Sequence, residues 1–194
     1  MVAVIKYNAG NIYSVVHALR REGVEPLVTD DKQLISKADK VIFPGVGEAS
    51  TTMDYLRKNG LDTLIKGLRQ PVLGICLGMQ LMCRHSEEGN VDCLGIFDTP
   101  IKRFTPVERE KIPHMGWNQL YDLKSGLMQG VKEDSFVYFV HSFYAPLCKE
   151  TIAKTDYIEP FSASLNKENF YATQFHPEKS GDVGSIILKN FLDL

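Results

Sequence analysis

The stretch Pro71-Val72-Leu73-Gly74-Ile75-Cys76-Leu77-Gly78-Met79-Gln80 decides the fold. An apolar run rises to Cys76, and a helical pattern starts at once beyond it. Glycines stand two residues to either side of the cysteine. This is a G-x-C-x-G turn, the sulfur counterpart of the G-x-S-x-G strand-to-helix turn that exposes a nucleophile. Such a turn holds one residue strained, with its side chain outward. The small neighbours are expected to keep the approach to Cys76 open for a substrate. A helix N-terminus at this point supplies unpaired N–H groups and a dipole that favour thiolate over thiol. The same N–H groups can hold an oxyanion.

Outward from that turn, strand and helix patterns alternate. Val2 to Ile5 reads as a buried strand. Ile12, Val15, Val16 and Leu19 mark a helix over 12–21, with Asn11 as its N-cap and Gly23 past its end. Strands are predicted at 26–29 and 40–43, helices at 48–58 and 61–69, a strand from Pro71 to Cys76, and a helix over 77–85. This order predicts an α/β fold: a flavodoxin-like, doubly wound, mostly parallel sheet with helices on both faces. Ligands of such sheets bind at the carboxyl ends of the strands, where Cys76 lies. The second half has short strands at 95–97, 136–140, 151–153 and 170–175 among many turn residues, which predicts a small antiparallel addition. A helix over 183–193 ends the chain. With no repeat and no long linker, residues 1–194 read as one domain.

Composition narrows the function. With 44% hydrophobic and 24% charged residues and a net charge of −2, the chain reads as an ordinary soluble protein with no general affinity for nucleic acid or membrane. No basic leader with a long apolar core is apparent, so neither a signal peptide nor a membrane span is expected. The cysteines at 76, 83, 93 and 148 form no C-x-x-C pair, which argues against a zinc knuckle or disulfide framework and for a reducing cytoplasm. No metal and no cofactor are expected.

A cysteine nucleophile needs a base and a group to orient that base. Gln174-Phe175-His176-Pro177-Glu178 follows an apolar strand and supplies both. The H-P-E spacing puts the Glu178 carboxylate within reach of one ring nitrogen while the other faces Cys76. Alone, a cysteine after a buried strand is ordinarily a small core residue, and a His-Pro-Glu turn an ordinary surface turn. At two strand ends of one sheet they point to a Cys-His-Glu hydrolase or transferase. Phe43-Pro44-Gly45-Val46-Gly47, after the third strand, reads either as a tight strand-to-helix turn or as a wall of the oxyanion pocket.

The segments around Cys76 and His176 resemble the class I (triad) glutamine amidotransferases. Pro44-Gly45-Val46-Gly47 and Pro113-His114-Met115-Gly116-Trp117-Asn118 resemble the branch of that family that serves imidazole glycerol phosphate synthase in histidine biosynthesis. Relatives acting in GMP, anthranilate or carbamoyl phosphate synthesis, and the pyridoxal-phosphate glutaminase, carry other oxyanion segments. The likeness covers essentially the whole chain and includes Val140-His141-Ser142-Phe143-Tyr144 and Lys179-Ser180. It departs at Lys6-Tyr7-Asn8-Ala9-Gly10-Asn11, where the family usually has Asp-Tyr-Gly-x-Gly-Asn. Asn tolerates positive φ better than most residues, so the turn can survive.

The resemblance implies that Cys76 attacks the side-chain amide of glutamine, with His176 and Glu178 completing the triad. It implies an oxyanion hole from the N–H groups of Leu77 and, after a peptide flip, Val46. Gly47, Gln80, Glu88, His141, Ser142 and Phe143 are implied to line the glutamine pocket. The implied partner is a (β/α)8-barrel cyclase subunit, forming a heterodimer. It would receive the ammonia through a channel and make imidazole glycerol phosphate and AICAR. Trp117, with Met115 and Asn118 in a turn-rich stretch, is expected to anchor that partner. Tyr138 is expected to gate the ammonia route and Lys179 to meet a partner carboxylate. Another triad glutaminase, such as the pyridoxal-phosphate one, a peptidase-type hydrolase on the same sheet and a non-catalytic interaction module are the competing readings.

Overall fold

The fold, described for residues 1–7 and 12–194 in a computed structural model, follows the predicted alternation through its first half. Its elements are β1 (Val2–Ile5), α1 (Ile12–Arg21), β2 (Leu27–Thr29), α2 (Lys32–Lys37), β3 (Lys40–Gly45), α3 (Ala49–Lys58), α4 (Leu61–Gly67), β4 (Val72–Cys76) and α5 (Leu77–Met82). The short strands β5 (His85–Ser86), β6 (Val91–Asp92) and β7 (Pro100–Arg103) follow. Then come β8 (His114–Leu120), β9 (Ser135–His141), β10 (Phe143–Tyr144), β11 (Thr151–Tyr157), β12 (Glu159–Lys167), β13 (Phe170–Thr173) and α6 (Gly181–Asp193).

The main sheet has the order β11-β12-β13-β4-β3-β1-β2. Its pairs from β2 to β13 are parallel, and β12 runs antiparallel to both of its neighbours. Alternating side chains feed two cores. Ala3, Ile5, Val41 and Phe43 pack with α2 to α5 on one face, and Val2, Val4, Ile42 and Leu73 with α1 and α6 on the other. The addition in the second half is less separate than predicted: β11 and β12 extend the main sheet in antiparallel fashion, β13 joins it parallel to β4, and the small sheets β10-β7-β5-β6, with β5 parallel to β7, and β8-β9 stand apart. Among the described residues, no helix is long and apolar enough to cross a membrane.

Several local expectations give way. β3 runs on through Pro44 and Gly45, because Gly45 pairs with Cys76 in register. α2 was not expected; Asp31 caps it by accepting the N–H groups of Gln33 and Leu34. α5 stops at Met82, short of residue 85. Gly95-Ile96-Phe97 is not a strand. The N–H of Gly95 donates to the Cys83 carbonyl, and those of Ile96 and Phe97 to Met82, so this segment closes the C-terminal end of α5. Trp117 lies in β8, paired with β9, and not in a turn-rich stretch. The Asn11 cap and the Asn8–Asn11 loop lie outside the described residues.

The glycines around Cys76 serve packing more than access. A Cβ on Gly78 would overlap the Phe43 carbonyl oxygen, and one on Gly74 would sit 2.8 Å from Met82 Sδ. Their absence lets α5 lie against β3 and β4. Gly78→Ala is therefore expected to cost about 3 kcal/mol or more, because a backbone carbonyl in a central strand cannot yield. Gly67→Ala, exposed with open space around it, should stay within about 0.5 kcal/mol of the parent or stabilise it. Denaturant unfolding of both variants checks the contrast, and equal midpoints would refute it.

Candidate active site

Register brings three strand ends to one level. Gly45 of β3 is opposite Cys76, and Thr173 of β13 is opposite Ile75. The chain beyond β3 therefore carries Val46 past Cys76 on one side, and the chain beyond β13 carries Gln174 and His176 past it on the other. Cys76 itself has φ 53 and ψ −108, a strained conformation for a residue with a side chain. Leu77 opens α5, so its N–H is among the first-turn donors with no intrahelical acceptor.

His176 is held by its backbone and its ring. Its N–H donates to the Tyr138 carbonyl (2.9 Å), and its own carbonyl accepts from Ser180 Oγ (2.6 Å). Pro177 opens a single 3-10 turn that returns Glu178 to the ring, with Glu178 Oε1 2.7 Å from His176 Nδ1. Both side chains are buried. Burial alone would push the imidazole pKa down. The facing Cys76 and the Glu178 carboxylate outweigh it and lift the value to about 10. His176 Nε2 is buried, and its neighbour is the Cys76 thiol.

A cavity of about 300 Å³ opens beside Cys76. Val46, Gly47, Leu77, Gln80, Glu88, His141, Ser142 and Phe143 all line it, with Pro113 and Val140, which were not anticipated. His176 and Glu178 stand outside this lining. Gln80 donates Nε2 to the Phe143 carbonyl (2.9 Å) and to Gln174 Oε1 (3.0 Å), which leaves its carbonyl oxygen to the cavity. Glu88 accepts the Ala49 N–H at the start of α3 (2.9 Å). Burial, with the nearby Glu48, raises its pKa despite that bond. Gly47 has φ 135, a conformation open to glycine. The Tyr7 hydroxyl donates to the Pro44 carbonyl (2.5 Å) and so fixes the chain just before Gly45.

Two expectations change here. His141 lines the cavity, but both its ring nitrogens are engaged, Nδ1 with the Phe143 carbonyl (2.8 Å) and Nε2 with His114 (3.0 Å). It has no ring nitrogen left for a ligand. Asn118 does not share the outward face of Trp117. Strand alternation turns it the other way, and its Nδ2 donates to the Asp156 carbonyl (2.9 Å). Gln174 was missed as a site residue: its amide lies 3.8 Å from Cys76 Sγ. Only the register of β13 against β4 could have pointed to it.

Met115 and Trp117 on β8 and Phe136 on β9 form an exposed apolar face, at 65, 56 and 51% exposure. The Trp117 ring meets that of Tyr138 edge-on at 6.0 Å, and Lys179 Nζ stands 5.9 Å above the Tyr138 ring. All four cysteines are free thiols. Among the described residues, no group of three or more His, Cys, Asp or Glu side chains is arranged to hold a metal ion.

A strained cysteine backed by a buried His–Glu pair, at parallel strand ends, is the layout of a triad amidotransferase. Residues 3–194 match the family Glutamine amidotransferase class-I, and the chain belongs to that family. It is similar to the imidazole glycerol phosphate synthase subunit HisH of Bacteroides fragilis, at 69% identity over 194 residues, covering 100% of this chain and 99% of that protein. The protein of the same name from Escherichia coli strain K12 is 47% identical over 195 residues, with 100% and 99% covered. In fold the chain is similar to PurLQS from Thermotoga maritima, with TM-score 0.74, 16% identity, and 99% of this chain and 97% of that chain covered.

The folded-state pKa of His176 lies above its ordinary value of 6.5. The stability it contributes is therefore complete below pH 6.5 and lost as pH rises to about 10. Glu178→Gln is expected to lower the titration midpoint of His176, followed by NMR, and to flatten the fall in unfolding free energy across that window. A midpoint unmoved by the substitution would contradict the pairing.

Proposed function

We propose that this chain is the glutaminase subunit of an imidazole glycerol phosphate synthase in histidine biosynthesis. It hydrolyses glutamine to glutamate and ammonia and delivers the ammonia to a (β/α)8-barrel cyclase subunit. The observation that carries this reading is the strained Cys76 at a cavity of about 300 Å³, backed by the buried His176–Glu178 pair. The identity to HisH subunits along the whole chain supports the choice of synthase.

In this reading the Cys76 thiolate attacks the side-chain amide carbon of glutamine. The negative charge moves to the amide oxygen, which the N–H groups of Leu77 and Val46 receive. His176, as imidazolium, gives its proton to the departing nitrogen as the C–N bond breaks, leaving a γ-glutamyl thioester and ammonia. His176 then takes a proton from water, whose oxygen displaces the Cys76 sulfur and releases glutamate. Glu178 holds the ring in orientation through both steps. The cavity volume is at the lower end of small-molecule sites and suits an amino acid. Glu88 is a counter-charge for the α-ammonium group, and the Gln80 carbonyl oxygen an acceptor for its N–H groups.

Ammonia released into water at neutral pH would be protonated and lose its nucleophilicity, so a partner must receive it directly. The exposed Met115, Trp117 and Phe136 face supplies an apolar anchor for the cyclase. Tyr138 and Lys179 belong to that face, and their contact makes them one unit. Val46, between Gly45 and Gly47, is the peptide that turns when the cyclase binds its own substrate. The same reading takes residues 1–194 as one domain working in the cytoplasm as half of a heterodimer.

Mixing the protein with a purified barrel cyclase and its nucleotide substrate should stimulate glutamate release. Cys76→Ala should abolish that release; persistent turnover would sink the assignment. Val46→Pro deletes the turning N–H and should lower stimulated turnover by about 10²–10³ in a complex that still forms. Undiminished stimulation would remove Val46 from the oxyanion hole.

A further inference from the structure

A row of amides and imidazoles runs from β8 to the wall of the cavity. Asn118 Nδ2 lies 2.9 Å from the Asp156 carbonyl oxygen and 3.2 Å from His114 Nε2. Its two hydrogens serve these two acceptors, so His114 carries its proton on Nδ1. That nitrogen lies 3.0 Å from His141 Nε2, which must then accept, leaving the His141 proton on Nδ1. His141 Nδ1 donates in turn to the Phe143 carbonyl at 2.8 Å. The same oxygen accepts from Gln80 Nε2, whose other hydrogen goes to Gln174 Oε1. Gln174 Nε2 is thereby turned to Cys76 Sγ, 3.8 Å away. A backbone carbonyl can only accept, so the direction of every bond in the row is fixed by its surroundings.

Burial keeps both imidazoles neutral, with His114 pushed down to about 4 and His141 to about 3. A second proton on His141 would set N–H against N–H. Stacking holds the rings in place: His114 lies flat against Tyr157 at 4.1 Å and against Phe139 at 4.8 Å. Neither histidine is needed as an acid or base, because His176 supplies that chemistry. Their cost is the burial of polar groups, which a pair of apolar residues would avoid.

We propose that His114 and His141 are positioning residues for glutamine. Acting through the Phe143 carbonyl, they hold Gln80 with its carbonyl oxygen toward the cavity and Gln174 with its amide at the Cys76 sulfur. The inference rests on the glutaminase reading and deepens it.

His114→Phe keeps the stacking and removes both ring nitrogens. In the complex with the cyclase it is expected to raise KM for glutamine roughly 10-fold, the size of one lost buried hydrogen bond, with a much smaller change in kcat. His114→Gln retains an acceptor and a donor and should restore KM to within about 2-fold. A folded His114→Phe complex with unchanged KM, or a failure of His114→Gln to restore it, would overturn the proposal. Nitrogen-15 NMR of the unsubstituted protein should show both histidines as neutral Nδ1–H tautomers, and any other tautomer would also overturn it. That measurement needs no variant. If His114→Phe does not fold, Asn118→Leu provides the KM comparison, with a rise expected and an unchanged KM counting against the relay. A wild-type complex without glutaminase activity would instead sink the functional reading, and the tautomers would still decide the hydrogen-bond order.

Discussion

The close approach of Gly78 to the Phe43 carbonyl sets the rest of the structure. With no side chain at that position, α5 can start at the residue after Cys76 and lie directly over β3 and β4. That abrupt start forces positive φ at Cys76 and leaves the Leu77 N–H without an intrahelical acceptor. Strain of this kind persists only where the surroundings over-determine it. Here they do: Val72 to Cys76 are buried between paired strands on both sides, and α5 is buried along its whole length. The strand ends of β3 and β13 then fall level with Cys76, which is all that is needed to bring Val46, Gln174 and His176 around one sulfur.

Two histidine pairings near that sulfur show how environment divides identical side chains. His176 is buried against a carboxylate and a thiol, and its pKa rises despite desolvation. His114 and His141 are buried against each other, an amide and a carbonyl, and theirs fall. Burial acts in the same sense on all three rings, so the neighbours decide the outcome. One ring keeps a proton to give, and the other two keep a fixed tautomer. The two His141 nitrogens are held by an imidazole and a carbonyl, whereas the His176 ring meets a thiol and a carboxylate.

Hydrophobic period revealed the helices with one buried and one wet face, such as α1 and α3, and unbroken apolar runs revealed the central strands, which are buried on both faces. It failed where polar groups are buried or apolar groups exposed. β12 hides Ser162 and Ser164, whose hydroxyls donate to the carbonyls of Pro146 and Ala172, so its sequence looks too polar for an inner strand. β8 inverts the usual pattern, with Met115 and Trp117 outward and His114 inward. α2 buries only Ile35, too little for a periodic signal. The Cys76 and His176 segments were readable from local spacing. Among the cavity residues, Val46 and Gly47 were readable as one of two alternatives from their place after the third strand, and Gln80, Glu88, His141, Ser142 and Phe143 only through family resemblance. Gln174, Pro113 and the engagement of His141 were hidden because they depend on strand register and on contacts far apart in the chain.

β9 joins these parts. One of its faces carries Phe136 and Tyr138 beside Trp117, and the other buries Val137, Phe139 and His141. Its backbone accepts the His176 N–H at Tyr138, and its Val140 carbonyl lies 3.8 Å from Cys76 Sγ. A strand is stiff along its length, and β9 is paired with β8 over seven residue positions. A displacement of the β9 backbone under the outer aromatic face would therefore move the carbonyls that meet His176 and Cys76, or break ladder bonds to avoid it. Ser180 reinforces the connection, receiving the Tyr138 N–H while donating to the His176 carbonyl. The exposed face and the Cys76 sulfur are thus separated by one strand, and its alternating sides give each its own set of side chains.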